Sequence, residues 1–380
     1  MKYYWEFLKK QKKIIIFLVV LWYNYIKLPF KLGVDKIKRI NLKRKKWLEN
    51  RSRKIQNRIR KRNLKAKREK FKKNKINNKR VYLAPQVFSI VNNTKESSRY
   101  INRIMNKIAD KRIGQAFYFD LSMVTDITCD AIMYMIAIMN NVKYKKVLKY
   151  SFYGNKPKTE EARNLFNESG FLKYVDSNEK NIFRCSNKIQ IISGNKVDTK
   201  VVADICDFVN KSCNTKNKFT KKLYAMIIEL MTNTVQHAYN KNGLFDNYWY
   251  IFVEDRENII KFVFLDIGEG IASTVKMKIM EKILKDKSDS ELICSAFKGE
   301  GRTETGESHR GKGLPDIAQE CINGRIENLQ VYSGKGICKI INGKYENYDL
   351  EEKYEEIYGS LFTWDINKKN IKEEFKIDGN

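Results

Sequence analysis

Apolar residues recur with two different periods along this chain. Gln115–Asp120 and Ile259–Leu265 are short runs rich in aromatic and β-branched residues, and both read as strands. Tyr248–Val253 reads as the hairpin partner of the second run. Val147–Tyr153 reads as a further strand, and Gly359–Ile366 as a final one. Between residues 221 and 239 the period lengthens. Leu223, Ile227, Leu230 and Thr234 recur at helical spacing, which predicts a helix over Lys221–Tyr239 with one buried stripe. Ile132–Met139, Thr159–Glu168 (ended by Gly170) and Leu314–Cys321 (with Pro315 in the first turn) also read as helices. Strand and helix alternate from residue 115 to residue 170, which implies a small α/β unit.

Three short patterns within these elements carry candidate chemistry. On the helix over residues 221–239, Glu229, Asn233 and His237 are spaced by four and share one polar strip. A carboxylate there can deprotonate a water or a hydroxyl. An amide oxygen there suits Mg²⁺, which prefers oxygen ligands. Asp266-Ile-Gly-Glu-Gly270 follows the end of a strand. Its Gly268 and Gly270 permit close approach to the backbone, and Asp266 can accept from the exocyclic amine of a purine. Arg310-Gly-Lys-Gly313 closes a polar, glycine-rich stretch that starts at Gly299, and it leads into a helix. Glycines ahead of a helix start are suited to phosphate.

In this order and spacing the three patterns resemble the Bergerat-type ATP-binding fold of the GHKL superfamily. The resemblance covers about residues 199–367 and is closest to the anti-sigma-factor serine kinases. It implies ATP and Mg²⁺ as cofactors and Glu229 as general base. It further implies Asn233 as Mg²⁺ ligand and Asp266 as the adenine contact, with Gly268 and Gly270 shaping the base pocket. Arg310, Gly311, Lys312 and Gly313 would then close over the phosphates. The only histidines are His237 and His309, both inside this region, which argues against histidine autophosphorylation of the usual kind.

Upstream, Asp120-Leu-Ser-Met-Val-Thr125 ahead of a helix resembles the STAS domain of anti-sigma-factor antagonists, over roughly residues 81–193. The family pattern places a phosphoacceptor serine at the helix start. Thr128, Cys129, Asp130 and Ala131 stand there instead, with Asp130 at the acceptor position. An acidic residue near a helix start fits ordinary capping.

Charge changes the picture at the amino terminus. Residues 1–80 hold 30 Lys/Arg against 4 Asp/Glu, a net of +26 out of a total of +31. Such an arm, with a basic helix expected over residues 35–80, attracts nucleic acid or anionic lipid. Ile14–Tyr23 is too short for a membrane span, which needs ~20 residues. With the aromatic residues around it, the segment reads as an interfacial anchor. The seven cysteines include no C-x-x-C pair and read as free thiols of a reducing cytoplasm.

The expected architecture is therefore α/β (α+β) in three parts. These are a basic, helical arm (residues 1–80), a STAS-like α/β domain (81–195) and a Bergerat-type α/β sandwich (196–380), with the boundary near Ser193–Lys196. The expected activity is Mg-dependent ATP binding with slow hydrolysis or phosphoryl transfer to a protein Ser/Thr, acting as a regulatory switch on a protein partner. The alternative is a non-catalytic, nucleotide-gated module whose arm binds nucleic acid or an anionic membrane. Relatives of this type often dimerise, so a homodimer is an expectation of the resemblance. The expected location is the cytoplasm, including the inner face of the membrane.

Overall fold

The computed structural model describes residues 47, 50, 51, 53, 54, 58, 79–140, 142, 145–175, 185–214, 219–236, 246–279, 287–300, 313–352 and 355–371. The chain divides into two units, Met1–Lys73 and Asn74–Asn380. In the first unit the described residues are helical. There the Arg51 guanidinium lies 5.0 Å from the centroid of the Trp47 ring, a cation–π pair at helical spacing. The expected anchor at Ile14–Tyr23 lies outside the described residues. Among the described residues no helix is long and apolar enough to cross a membrane.

The second unit is mixed α/β. Its first module holds a parallel sheet of β1 (Lys79–Leu83), β3 (Ala116–Asp120) and β5 (Ser151–Gly154), in the order β1-β3-β5. A short parallel pair, β2 (Val87–Phe88) and β4 (Asp126–Ile127), stands beside it. Parallel neighbours need crossovers. Those in this module are helices α1 (Thr94–Ala109) and α2 (Cys129–Asn140); α3 (Glu160–Glu168) follows β5. Thr159 caps α3 by accepting from Ala162 N, and Gly170 beyond it adopts φ +85°. The strand expected from Val147 starts only at Ser151. Residues 145–149 form turns, and Lys149 sits at φ 54°, outside the strand region.

A seven-stranded, wholly antiparallel sheet follows, in the order β11-β10-β9-β12-β8-β7-β6. Its strands are β6 (Lys188–Gly194), β7 (Trp249–Asp255), β8 (Ile259–Asp266), β9 (Glu327–Gly334), β10 (Gly336–Ile341), β11 (Lys344–Asp349) and β12 (Ile357–Asn367). The hairpin expected between residues 248 and 265 forms as β7–β8. The last strand, β12, is central and lies between β9 and β8. The boundary expected near Ser193–Lys196 falls inside the sheet, because Ser193 and Gly194 pair with Tyr250 and Trp249.

Strand side chains alternate faces, and here both faces are buried. Phe262, Phe264, Phe362, Trp364 and Ile366 face one core. They meet α4 (Thr199–Cys213), α5 (Phe219–Gln236), α7 (Asp289–Lys298) and α8 (Gly313–Ile322) there; the short helix α6 (Ile271–Ile279) precedes α7. Tyr250, Phe252, Val263, Leu265, Tyr332 and Leu361 face the opposite core, which they share with the first module. The regions divided at residue 195 in sequence are therefore one compact unit.

Helix α2 explains that fusion. Its sequence, CDAIMYMIAIMN, is apolar all round, and every residue from Cys129 to Met139 is buried. It packs on β8. The Tyr134 hydroxyl donates to Tyr358 O at 2.9 Å, and Asn102 Nδ2 donates to Glu356 O at 2.9 Å. Arg99 pairs with Glu352 and Glu355 at 2.7 and 2.9 Å, and Ile191 N donates to Ser169 O at 2.8 Å.

The free-thiol reading is corrected at two positions. Cys294 on α7 and Cys338 on β10 form a disulfide with Cα atoms 6.0 Å apart. Cys129, Cys185, Cys206, Cys213 and Cys321 are free. An odd cysteine count with the partners 44 positions apart in sequence gives no local signal of this pairing.

Candidate functional site

Two clusters gather residues singled out in the sequence. The first lies on α5. Leu223, Ile227, Leu230 and Thr234 are buried as the helical period requires, with Met226 and Met231 beside them. Glu229 and Asn233 stay partly accessible one turn apart. Asn233 Nδ2 donates to Glu229 Oε1 at 3.3 Å, a bond that does not use the amide Oδ1. The two threonines nearby are occupied. Thr232 Oγ1 donates to Ile228 O at 2.7 Å and Thr234 Oγ1 to Leu230 O at 2.9 Å, the usual bonding of a hydroxyl back along its helix.

Gly313 opens α8 directly against this pair. A Cβ at residue 313 would collide with the Cγ, Cδ and Oε1 atoms of Glu229, so only glycine fits without displacing that side chain. The structure thus joins the first and third sequence patterns at one point. The charge facing the start of α8 is the Glu229 carboxylate, favourable at a helix amino end. Pro315 sits in the first turn, where its missing N–H costs no helical bond. His237, Arg310, Gly311 and Lys312 lie outside the described residues.

The second cluster surrounds the end of β8. Asp266 is its last residue, and Asp266 Oδ1 accepts from Gly268 N at 2.5 Å. Desolvation pushes the Asp266 pKa up to about 6, against the Gly268 N–H and the Ser360 hydroxyl, which lower it. Ser360 lies opposite Asp266 in the β8–β12 register. A Cβ on Gly268 would stand 2.7 Å from Asp266 Oδ1, so glycine keeps the carboxyl uncovered. Gly270 has φ +83°, and a Cβ there would lie 2.9 Å from Gly359 O and collide with Ser333 Oγ. Ser333 Oγ donates to Gly359 O at 2.8 Å and accepts from Ile271 N at 2.9 Å, which ties the loop to β9 and β12.

Sequence reasoning singled out neither Ser333 nor Ser360. Only their places opposite the loop in the sheet register give them a role, and that register joins strands far apart in sequence. Asp266 has the same parity on β8 as Phe262 and Phe264, so its side chain leaves the sheet on the face covered by α5. Among the described residues no three His, Cys, Asp or Glu side chains converge on a point.

The residues at the STAS-like acceptor position lie elsewhere, at the start of α2. Cys129, Asp130 and Ala131 are 6%, 2% and 0% exposed. The Asp130 carboxylate accepts from Ile90 N at 2.5 Å, forty residues away, so it ties α2 to the segment after β2 as well as standing in the helix's first turn. Burial raises its pKa.

No protein-family model matches the chain, and no curated protein matches it.

Proposed function

We propose that residues 188–371 form a Mg–nucleotide-binding unit of the GHKL type, and that the protein is an ATP-dependent regulatory switch with slow ATPase or protein Ser/Thr kinase activity. The observation that carries this reading is the contact of Gly313 with Glu229, the latter hydrogen-bonded to Asn233. It brings a carboxylate, a side-chain amide and a glycine-opened helix start together from separate stretches of sequence.

The donor chemistry fits Mg²⁺ and ATP. Asn233 Oδ1 is a hard oxygen, and Mg²⁺ usually takes few protein ligands while keeping waters and phosphate oxygens. The absence of a three-carboxylate cluster among the described residues is compatible with that mode. When bound, Mg²⁺ neutralises charge that gathers on the phosphoryl oxygens. Asn233 would hold it and would also orient Glu229 through the amide N–H. Glu229 would take the proton from the attacking water or hydroxyl at its carboxylate. Entry of phosphate at the start of α8 requires Glu229 and Gly313 to move apart.

Gly268 N fixes Asp266 Oδ1, which leaves Oδ2 to accept from a purine amine. Ser360 stands opposite that residue in the ladder. The buried Asp130 favours a phosphoacceptor outside this chain's own STAS-like module.

Purified protein with Mg²⁺ and γ-labelled ATP tests the reading. Wild type should bind ATP and release labelled phosphate or pass label to an added protein. Asn233→Ala should abolish Mg-dependent binding. Glu229→Ala should bind and lose turnover by roughly 10²–10⁴-fold, the usual scale of general-base catalysis. Unchanged ATP affinity in Asn233→Ala would refute the site.

A further inference from the structure

Large apolar side chains stand exposed on the first module: Val81, Leu83, Ile113, Met123 and Val147. Ile113 and Val147 are the most exposed, at 73% and 71%. They project from two loops that touch. Gly114 N donates to Leu148 O at 2.7 Å, so one backbone hydrogen bond joins the neighbours of the two aliphatic residues. Ser151 N donates to Gln115 O at 3.1 Å, and the Tyr150 hydroxyl donates to Ile108 O at 3.2 Å. The pair of loops is thus a held structure at the end of the sheet where β3 and β5 begin.

The same loops are basic. Lys107, Lys111, Arg112, Lys146 and Lys149 are exposed around the two aliphatic tips, against one carboxylate, Asp110. Lys107 pairs with Asp110 at 3.2 Å. Lys145 is different: it turns inward, with its ammonium on Met139 O and over the Phe152 ring.

Backbone geometry adds a second observation. Five non-glycine residues have positive φ among the described residues. Three are asparagines (Asn214, Asn328 and Asn342), the side chain that tolerates this region best. The other two are Lys111 and Lys149, one on each loop. Asparagine or glycine would relieve both turns, yet lysine keeps a cation at each tip.

We propose that the paired loops 110–113 and 146–149 are a docking surface for an anionic phospholipid bilayer. Ile113 and Val147 enter the interface, and Lys111, Arg112, Lys146 and Lys149 meet headgroup phosphates. A bilayer rewards both halves of this surface, because aliphatic tips gain from the acyl boundary while cations gain from the anionic leaflet. A nucleic-acid backbone rewards only the cations. Surfaces that hold bases use aromatic rings for stacking, and the tips here are aliphatic. The surface is built from residues outside the basic amino-terminal arm, and it does not rest on the nucleotide reading.

The test uses the full chain, wild type and Ile113→Ser/Val147→Ser, with vesicles of phosphatidylcholine alone or mixed with phosphatidylglycerol. The arm also attracts anionic vesicles, but it is the same in both proteins, so the difference between them at one ionic strength reads the loops alone. Wild type should bind the phosphatidylglycerol vesicles. The double variant should bind them with affinity about tenfold lower or worse, since membrane binding scales with buried apolar area. Both positions are exposed, so thermal unfolding should be unchanged. As a direct probe, Val147→Trp emission should shift to the blue on these vesicles and stay put on neutral ones.

Equal affinity of wild type and double variant for the phosphatidylglycerol vesicles would overturn the proposal. So would a wild type that ignores vesicles but binds duplex RNA, and loses that binding in Lys111→Asn/Lys149→Asn, which preserves the turns.

Discussion

Helices α2 and α8 begin in similar ways and end up in opposite surroundings. Resemblance alone drew attention to both starts: Asp130 stands where a related pattern has a phosphoacceptor serine, and Gly313 is a glycine-led helix opening. The start of α2 lies between two sheets, with Asp130 2% exposed and bound to Ile90 N. The start of α8 lies in the outer helical layer, where Gly313 and Glu229 remain partly accessible. A local motif fixes backbone geometry. Layer packing decides whether a ligand or a kinase can reach it.

That contrast can be broken most severely at the core of α2. Tyr134→Ala should lower stability by about 3–5 kcal/mol, the usual cost of truncating a buried aromatic. The matching change on α8, Leu314→Ala, removes a partly buried side chain and should cost much less. Denaturant midpoints at fixed slope would read both. A small loss at Tyr134 would mean that α2 is not clamped between the sheets.

A smaller effect is expected at the acceptor position. Asp130→Ser should cost roughly 1–3 kcal/mol by weakening the bond to a buried N–H. It should take up no label from γ-labelled ATP, because the position stays under the sheet. Incorporation there would mean that α2 is reachable after all.

The gentlest probe is pH, acting at Asp266. Its folded pKa is about 6, above the ordinary 3.8. The folded state therefore holds a proton that the unfolded chain has released, so this group's contribution to stability falls as pH rises from about 4 to about 6. Purine affinity should run the other way, because only the carboxylate accepts freely from an exocyclic amine. Titration calorimetry should show affinity weakening below pH ~6 in wild type, and Asp266→Asn should flatten that dependence. A pH-independent wild type would remove Asp266 from the base contact.

Elements with a strong period were legible in the sequence. The stripe of α5, the β7–β8 hairpin and strand β12 lie where their apolar residues predict, because each buries a regular face. The sealed state of α2 was also written there, in a run with no polar side, although its partner sheet was not. Long-range pairing stayed hidden. Strand β6 joins the second sheet through β7, and Ser333 and Ser360 reach the Asp266 loop only through register. Cys294 meets Cys338 because α7 lies over β10, and spacing along the chain carries no trace of that. The late start of β5 turns on the left-handed backbone of Lys149, a residue with no special preference for it.

The double-faced sheet also governs how the protein can be taken apart. A fragment beginning at residue 196 would lose edge strand β6 and strip the cover from Tyr250, Phe252, Leu265 and Leu361. It would offer sticky apolar area to any neighbour, and a truncated partner screen would collect false companions through that face. The complementary piece would carry α2 with one side bare. Expression, binding screens and inheritance by gene fusion should all treat residues 79–371 as one indivisible cassette.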